Sequence, residues 1–501
     1  MCGIVGLISN HPVSREGIRA LRALENRGTN SSGIISYSSS TKRFDEPKQG
    51  VSSSQEVFNK EYLRTEVDNR EGNVLIGHNR YPTAGSDLKR DAQPLLIPRP
   101  GMAIAHNGQV LNIVSLKEKF RDKEWFFRTE CDAEPLMMAL AQNLLERRHE
   151  KTQEITAYLE KKLFPSLEDI MKEEGKYYVN GAYSGVVILA SRGLLAFRDP
   201  HGFRPLSFGV KKQGDNIVLA FASETSAFNY LGGYKEIRGL ERGEAVFIDE
   251  KLNVYSRIIH QQKETFCSFE HNYFAGQDSD LLGVKVYDAR LMLGKALAEY
   301  FSARKDGIDL VMAVPKTAIP AAIGMARAWK KDYGEGLIVR GETRSFLEPT
   351  QKERDAAVVD KHIYIKSQIE GRRLALVDDS YVRGTTSKKI IAKLKELGAK
   401  EVHIFFTYDM ISWPCVYGID TPERGELGAA KHHQSIEEIT KDLGADSANF
   451  FPHTEFGKAI GVSQDRFCFA CVTGNYPTDT AEYRAYLDTR KKEREAMNNK
   501  K

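Results

Sequence analysis

The first half of the chain carries short apolar runs separated by turn residues, a pattern typical of β-strands. The runs are Ile4–Ile8, Val74–Ile76, Met102–Ala105, Val186–Ala190, Ile217–Phe221 and Ala245–Ile248. One longer segment, Ala133–Leu145, is predicted to be a helix. The Ser-rich stretch Ser36–Ser40 is expected to be a surface loop, because serine favours turns. We therefore predict a strand-rich N-terminal domain.

The second half alternates strands with helices. The predicted order is Ile308–Val314, Ala318–Trp329, Leu374–Val377, Ser387–Leu397 and Val402–Phe406. In the fourth segment the apolar residues fall on one helical face, and Gly398 follows as the C-cap. Such alternation favours a parallel α/β sheet. From Glu482 onwards the chain is highly charged, which predicts a solvated helix or a frayed tail.

Length, charge and cysteine usage narrow the class of protein. A chain of 501 residues is too long for one ordinary core, so two domains are expected. Lys and Arg number 72 against 68 Asp and Glu, a near balance that gives no case for nucleic-acid binding. We find no membrane-length apolar run and no secretory signal, so a cytoplasmic location is expected. Six cysteines do not make a disulfide scaffold here, which favours metal or catalytic roles.

Cys2 is a candidate nucleophile. If Met1 is removed, the Cys2 thiol and a free α-amino group belong to one residue, and that amine can take the thiol proton near neutral pH. A Met-Cys start alone is a weak signal. Four further segments strengthen it: Leu24–Gly33, Gly77–Gly85, Ala105–Gly108 and Glu130–Glu134.

Together these segments resemble the glutamine amidotransferases that have an N-terminal nucleophile cysteine. The resemblance implies that Cys2 attacks the side-chain amide of glutamine and that Asn107 and Gly108 donate to the oxyanion. Arg80 matches the position that binds the α-carboxylate, and Asp132 matches the one that binds the α-ammonium. Thr83 is expected to complete the glutamine site.

A phosphate-binding loop is predicted within Leu374–Ser387. A short apolar strand ends in Asp378 and Asp379, and a Gly/Thr loop then opens a helix. Loop N–H groups, hydroxyls and a helix N-terminus suit an anion. The two carboxylates cannot bind phosphate, so they should face ribose hydroxyls or a divalent metal.

This run resembles the phosphoribosylpyrophosphate motif of type I phosphoribosyltransferases. The joint pattern, from Cys2 to about Tyr476, resembles the glutamine phosphoribosylpyrophosphate amidotransferases. The resemblance implies that ammonia displaces pyrophosphate at ribose C1, the first step of purine nucleotide biosynthesis, with Mg²⁺ on the leaving group. The implied phosphoribosylpyrophosphate contacts are Asp378, Asp379, Ser380, Arg383, Gly384, Thr385, Thr386, Ser387 and Arg344. The implied Mg²⁺ positions are Thr317, Asp378 and Asp379.

Four cysteines form a second candidate metal site: Cys267, Cys415, Cys468 and Cys471. Four thiolates suit either an iron–sulfur cluster or zinc, and their spacing does not choose. The resemblance to the cluster-containing branch of the family implies a structural [4Fe–4S] cluster. Cys131 has no assigned role.

The resemblance also implies the architecture and the partners. We expect an N-terminal nucleophile αββα sandwich over residues 2–255 and a Rossmann-like phosphoribosyltransferase domain over 256–480. A charged helix or tail is expected over 481–501. Glutamine and phosphoribosylpyrophosphate are the implied small-molecule partners. A homo-oligomer, tetramer or dimer, is implied, without nucleic acid or membrane.

The sequence departs from the family pattern in two working parts of the second domain. Lys316 stands where the family has an acid, and the closing loop Val339–Leu347 has changed. Two alternatives therefore stay open. Beside the reaction implied by the resemblance, the chain could be a divergent paralogue that aminates another phosphoribosyl-type substrate, or a non-catalytic regulator that binds phosphoribosylpyrophosphate or a nucleotide.

Overall fold

The computed structural model describes residues 2–81, 89–149, 154–339 and 362–498, with side chains through residue 490. The first half is built on two antiparallel sheets. The eight-stranded sheet runs in the spatial order Tyr234–Gly239, Ser207–Gln213, Asn216–Ala222, Gly3–Ser9, Val74–Arg80, Ser31–Ser38 and Arg43–Phe44, with Lys48–Gly50 also paired to Ser31–Ser38. The six-stranded sheet runs in the order Val254–Ile258, Glu244–Asp249, Gly193–Arg198, Gly181–Leu189, Met102–Val110 and Leu95–Ile97.

Alternation along the strands explains why the apolar runs are continuous. In Gly3–Ser9, Ile4 and Ile8 pack between the two sheets, whereas Val5 and Leu7 pack against the helices outside. Both faces of each sheet are thus covered, by helices such as Ser14–Ala23 on one side and Ala133–Glu146 on the other. The αββα sandwich expected from the resemblance is confirmed.

The predicted loop at Ser36–Ser40 is wrong as far as Ser38. The strand Ser31–Ser38 continues through this stretch, and its serines are buried. Ile35 and Tyr37 alternate into the core between the sheets, and this burial outweighs the local turn preference of serine.

The second half holds a five-stranded parallel sheet. Its spatial order is Asp332–Tyr333, Leu310–Ala313, Arg373–Asp378, Glu401–Phe406 and Ser447–Phe450. Helices Val286–Tyr300 and Ile319–Trp329 contribute to the core on one face, and Thr385–Glu396 and Ile436–Leu443 to the core on the other. Strand–helix alternation therefore predicts this sheet correctly.

Three short strand pairs complete the second half. Phe266–Cys267 pairs in parallel with Phe467–Cys468, which brings the start and the end of the second half together. Two small hairpins pair Asp280–Leu281 with Val284–Lys285 and Leu337–Val339 with His362–Tyr364. The remaining helical segments are Glu25–Arg27, Ser54–Val57, Lys60–Thr65, Val67–Asn69, Ile113–Arg121, Ile155–Tyr158, Leu159–Leu163, Phe164–Met171, Ser226–Leu231, Glu270–Phe274, Ser302–Gly307, Lys366–Ile369, Arg424–Glu426, Gly428–Lys431, His453–Ile460, Gln464–Arg466, Ala470–Thr473 and Ala481–Asn498.

The last of these helices docks on the first domain. Tyr483 is buried, and the Glu482 carboxylate accepts from the N–H groups of Val114 and Ser115 at 2.8 and 3.0 Å. A carboxylate at the N-terminus of the helix Ile113–Arg121 satisfies donors that have no partner within that helix. Arg490 pairs with Glu130, next to the predicted glutamine site.

Candidate functional site

Cys2 lies at the start of the central strand Gly3–Ser9, and its main chain is fixed from two sides. The Cys2 nitrogen donates to Asn107 Oδ1 at 3.3 Å, and Arg27 Nε donates to the Cys2 carbonyl at 2.9 Å. The half-buried Cys2 thiol donates to the Tyr81 carbonyl at 3.6 Å. The strands that carry Cys2 and Asn107 belong to different sheets, so the fold brings these two predicted residues into contact.

Asn107 and Gly108 have the properties of an oxyanion pair. Asn107 is 1 % exposed, and its Nδ2 has no hydrogen-bond partner among the described residues. An unsatisfied buried donor is costly, so such a group beside a nucleophile indicates a ligand position. Gly108 has φ of +145°, and a Cβ there would lie 2.0 Å from the Ala182 carbonyl oxygen. Only glycine fits this close approach.

Arg80 and Asp132 both lie near the buried Cys131 thiol. Arg80 is 3 % and Asp132 5 % exposed, and both act on the pKa of the buried Cys131 thiol. Burial raises that pKa, Asp132 adds to the rise and Arg80 opposes it. Asp132 also accepts from the N–H of Val110 at 2.9 Å. This arrangement places a cation and an anion close to the Asn107 strand.

Sequence reasoning missed Asp91 at this site. Its carboxylate lies 3.5 Å from Arg80 Nη2 and is fully buried. Asp91 also accepts from the N–H of Glu130, which leads into the Asp132 segment. An acid eleven residues beyond Arg80 gives no pattern that the sequence alone would single out. Thr83, the third predicted glutamine contact, lies outside the described residues.

His78 does not act as a base near neutral pH. Burial, with Arg80 nearby, lowers the pKa of His78 to about 3. His78 Nε2 lies 3.2 Å from the His106 carbonyl, to which a neutral ring donates. This agrees with a nucleophile that is activated from within its own residue.

The acid pair of the second domain lies at the carboxyl end of the strand Arg373–Asp378. Ser387 Oγ donates to Asp378 at 3.2 Å, and Ser380 Oγ donates to Asp379 at 2.8 Å. Burial raises the pKa of Asp379 to about 6, and burial with repulsion from Asp379 raises that of Asp378 well above its usual range. A cation or hydroxyl donors from a ligand would stabilise the ionised pair.

The loop after this strand has the shape of a phosphate cradle. Gly384, with φ of +76°, leads into the helix Thr385–Glu396, whose first N–H groups face outwards from the helix end. This cradle includes Thr386 and Ser387. Arg383 instead forms an exposed ion pair with Glu426 at 2.7 Å. Arg344 lies outside the described residues, as does the predicted closing loop beyond Val339.

Thr317 and Lys316 lie next to the acid pair. They follow the strand Leu310–Ala313, which pairs in parallel with Arg373–Asp378, and Val314 N donates to the Val377 carbonyl at 2.8 Å. Thr317 is half-buried and Lys316 is exposed. The residues after two neighbouring parallel strands therefore meet at one edge of the sheet.

The four predicted cysteines converge, whereas Cys131 lies apart beside Asp132. Cys267 is opposite Cys468 in the short parallel ladder, and burial raises the pKa of Cys267 to about 11. Cys468 and Cys471 each interact electrostatically with Cys267 and Cys415. All six cysteines are free thiols. Within the part of the chain that the structure describes, no set of three or more His, Cys, Asp or Glu side chains has metal-ligating geometry.

A membrane-spanning role finds no support in the helices. None of those in the described ranges is both long enough and apolar enough to cross a bilayer.

Known proteins are similar to this chain in sequence and in fold. The family described as "Glutamine amidotransferase domain" matches residues 78–230. The amidophosphoribosyltransferase of Methanothermobacter thermautotrophicus is 35 % identical over 97 % of each chain, and that of Haemophilus influenzae is 33 % identical over 99 % of each chain. The glutamine phosphoribosylpyrophosphate amidotransferase of B. subtilis, solved with ADP and GMP, is 34 % identical with a TM-score of 0.80, over 96 % of this chain and 98 % of that one.

Proposed function

Because this chain belongs to the amidophosphoribosyltransferase family, we propose that it releases ammonia from glutamine at Cys2 and transfers it to C1 of phosphoribosylpyrophosphate. The products are glutamate, 5-phosphoribosylamine and pyrophosphate. The observation that supports this most directly is the buried Asn107 amide, whose Nδ2 has no described partner and whose Oδ1 holds the Cys2 nitrogen. The near-complete match to relatives that carry out this chemistry disfavours the alternative of a binding-only regulator.

Asn107 takes part both in the activation of Cys2 and in the stabilisation of the oxyanion. Once Met1 is removed, its Oδ1 orients the α-amino group of Cys2, which accepts the thiol proton. The thiolate attacks the amide carbon of glutamine, and the oxygen that becomes negative is stabilised by Asn107 Nδ2 and the Gly108 N–H. The amine returns its proton to the departing ammonia, and water then hydrolyses the thioester to glutamate.

Arg80 and Asp132 recognise the two charges that glutamine carries on its α-carbon. A guanidinium can bind the α-carboxylate in a bidentate manner, and a carboxylate can bind the ammonium. Both side chains are almost fully buried, so these contacts are made away from bulk water. Asp91 forms a buried ion pair with the Arg80 guanidinium and helps to fix its position.

The edge of the parallel sheet binds the acceptor. The Gly384 turn and the N-terminus of the helix Thr385–Glu396 hold the 5′-phosphate, and Asp378 and Asp379 face the ribose hydroxyls or a cation. Carboxylate and hydroxyl oxygens are ligands that Mg²⁺ accepts, so Asp378, Asp379 and Thr317 fit this ion. When bound, Mg²⁺ would neutralise charge on the leaving pyrophosphate.

The proposal includes a [4Fe–4S] cluster on the four cysteines, which lie near one another although the described thiols do not have metal-ligating geometry. Burial raises the pKa of Cys468 and Cys471, which penalises uncoordinated thiolates at these two residues, and a bound metal would offset the penalty by keeping them deprotonated. The buried Arg204 guanidinium interacts with Cys267 and Cys415, which compensates part of the negative charge of four thiolates. A structural cluster of this kind, a cytoplasmic location and a dimer or tetramer remain part of the proposal.

Pyrophosphate release tests the proposed reaction. Protein purified anaerobically is supplied with Mg²⁺, phosphoribosylpyrophosphate and either glutamine or an ammonium salt, with Cys2→Ala as the comparison. We expect Cys2→Ala to lose only the glutamine-dependent release. Glutamate production without pyrophosphate release from either nitrogen source would show instead that the acceptor is a different molecule.

A further inference from the structure

A single helical turn, Glu270–Phe274, contacts both candidate centres. It lies between the cysteine strand Phe266–Cys267 and the small hairpin that begins at Asp280. Glu270 and Asn272 are 0 % and 1 % exposed. Two polar side chains so deeply buried need specific partners, and these partners lie in different domains.

Glu270 binds Arg27, which in turn holds the main chain of Cys2. Its two carboxylate oxygens accept from Arg27 Nη2 and Nη1 at 2.9 and 3.0 Å, a bidentate pair. The Nε of the same guanidinium donates to the Cys2 carbonyl at 2.9 Å. Arg27 and Glu270 have fully buried side chains. The position of Cys2 therefore depends on a carboxylate of the second half of the chain.

Glu224 completes this buried cluster. It accepts from Arg27 Nη1 at 2.6 Å with one oxygen, and from Gly276 N and Ser279 Oγ at 2.7 and 2.8 Å with the other. The Arg27 guanidinium is thus held in one orientation by two acids. It has little freedom to compensate if Glu270 moves.

Asn272 holds the acid pair. Its Nδ2 donates to the Asp379 carbonyl at 2.9 Å, and its Oδ1 accepts from Thr407 Oγ1 at 2.9 Å. Thr407 N in turn donates to the Asp378 carbonyl at 3.0 Å. Both main-chain carbonyls of the acid pair are therefore tied to Asn272 or to its partner.

Arg290 makes the turn rigid. Its guanidinium donates to the carbonyls of His271, Tyr273 and Ala275, each at 2.9 Å. Side-chain donors on three carbonyls leave the turn little freedom to deform between Glu270 and Asn272. A displacement at one of these two residues is therefore passed to the other.

We propose that Glu270 and Asn272 are positioning residues, and that their common turn sets the Cys2 nucleophile according to the state of the Asp378–Asp379 loop. Neither residue touches a reacting atom. Glu270 acts through Arg27 on Cys2, and Asn272 acts on the loop that carries the acid pair. This inference rests on the proposed function, because it takes phosphoribosylpyrophosphate as the ligand of that loop.

The test measures the rate at which iodoacetamide alkylates Cys2, by peptide mass spectrometry, with and without phosphoribosylpyrophosphate and Mg²⁺. We expect the ligand to change the rate in the wild-type protein and to have little effect in Asn272→Ala. Asn449→Ala is the matched control, since Asn449 is also buried and donates to a main-chain carbonyl, that of Ile404, but its hydrogen bonds reach neither candidate centre. This control should respond as the wild type does.

Turnover gives a second readout. Loss of the buried Asn272 hydrogen bonds should raise the KM for phosphoribosylpyrophosphate about tenfold. It should also lower the yield of pyrophosphate per glutamate formed. Glu270→Gln keeps an acceptor for Arg27, so it should retain more glutamine-dependent activity than Glu270→Ala.

The outcomes separate the two proposals. An equal response of Cys2 alkylation in the wild type and in Asn272→Ala, or no response in the wild type, overturns the positioning role even when ammonium-dependent turnover is normal. No pyrophosphate release by the wild type with ammonium salts overturns the proposed function itself. If Asn272→Ala does not fold, Thr407→Val removes one of the same hydrogen bonds and takes its place.

Discussion

Gly418 lies directly against the main chain of Gly108. A Cβ atom on Gly418 would come within 2.8 Å of the Gly108 carbonyl oxygen and 3.1 Å of its Cα. Gly418 belongs to the loop that carries Cys415, and Tyr417 in this loop accepts from the buried Arg204 Nε at 3.0 Å. The cysteine-bearing loop therefore supports the oxyanion position of the glutaminase site from behind.

The first prediction follows from this contact. Gly418→Ala should lower glutamine-dependent turnover, because the added methyl group pushes on Gly108 and Gly418 has φ of +102°. We expect a loss of about tenfold or more, with ammonium-dependent turnover retained. Gly425→Ala is the control, since a Cβ there meets no atom within 4 Å. Equal loss with both nitrogen sources would argue against a local effect on the oxyanion position.

The second prediction concerns the oxyanion donor. Asn107→Ala should lower kcat for glutamine hydrolysis by about 10²–10³, because removing one such donor typically costs this much. The KM for phosphoribosylpyrophosphate in the ammonium-dependent reaction should not change. Steady-state rates with the two nitrogen sources measure this, and a drop of less than threefold would remove Asn107 from the oxyanion site.

The third prediction concerns stability and pH. Burial lowers the pKa of His271 from 6.5 to about 4, so the folded chain leaves this ring neutral where the unfolded chain protonates it. Stability is therefore complete above about pH 6.5 and falls as the pH drops towards 4, by about 1.4 kcal/mol per unit. The melting temperature of His271→Gln should fall less steeply in this interval. His433→Gln, at a side chain 86 % exposed, should follow the wild-type profile.

The fourth prediction concerns the cysteines. Protein prepared without oxygen should contain iron and inorganic sulfide, and Cys468→Ser should lose both, together with thermal stability, because structural metal sites contribute to folding. Cys131→Ser is the control and should keep its iron, because Cys131 lies beside Asp132, away from the other four. Zinc in place of iron and sulfide would correct the identity of the metal while keeping the site.

The fifth prediction concerns Lys316. This exposed lysine has no ion-pair partner among the described residues and lies beside the acid pair, so it can meet the charge of a bound pyrophosphate group. Lys316→Ala should raise the KM for phosphoribosylpyrophosphate about three- to tenfold, more at low than at high salt. Lys400→Ala, at the opposite end of the same sheet, should change it little. A KM that does not depend on Lys316 would mean that its charge faces solvent only.

Much of the fold follows from local patterns. Strand Gly3–Ser9 and helix Thr385–Glu396 lie where apolar runs and helical spacing predict them, because both bury regular faces against neighbours. The Ser31–Ser38 strand was not predictable in this way. Its burial comes from strands distant in the sequence, and these outweigh the preference of serine for turns.

The residues of the site were likewise only partly predictable from the sequence. Cys2, Asn107 and Asp378 stand in motifs that already indicate their chemistry. Glu270 and Asp91 do not, because their roles depend on partners that only the tertiary structure brings close.

The docked helix Ala481–Asn498 has a consequence for synthesis on the ribosome. Leu111, Ala182 and Phe203 of the first domain are buried together with Tyr417 and Tyr483. When the first domain emerges from the ribosome, Tyr417 and Tyr483 have not yet been synthesised. The apolar patch formed by Leu111, Ala182 and Phe203 is therefore exposed to solvent until these residues are made. The first domain therefore reaches its final surface only when the end of the chain arrives. A nascent chain stalled before Tyr483 should bind general chaperones that a finished chain does not.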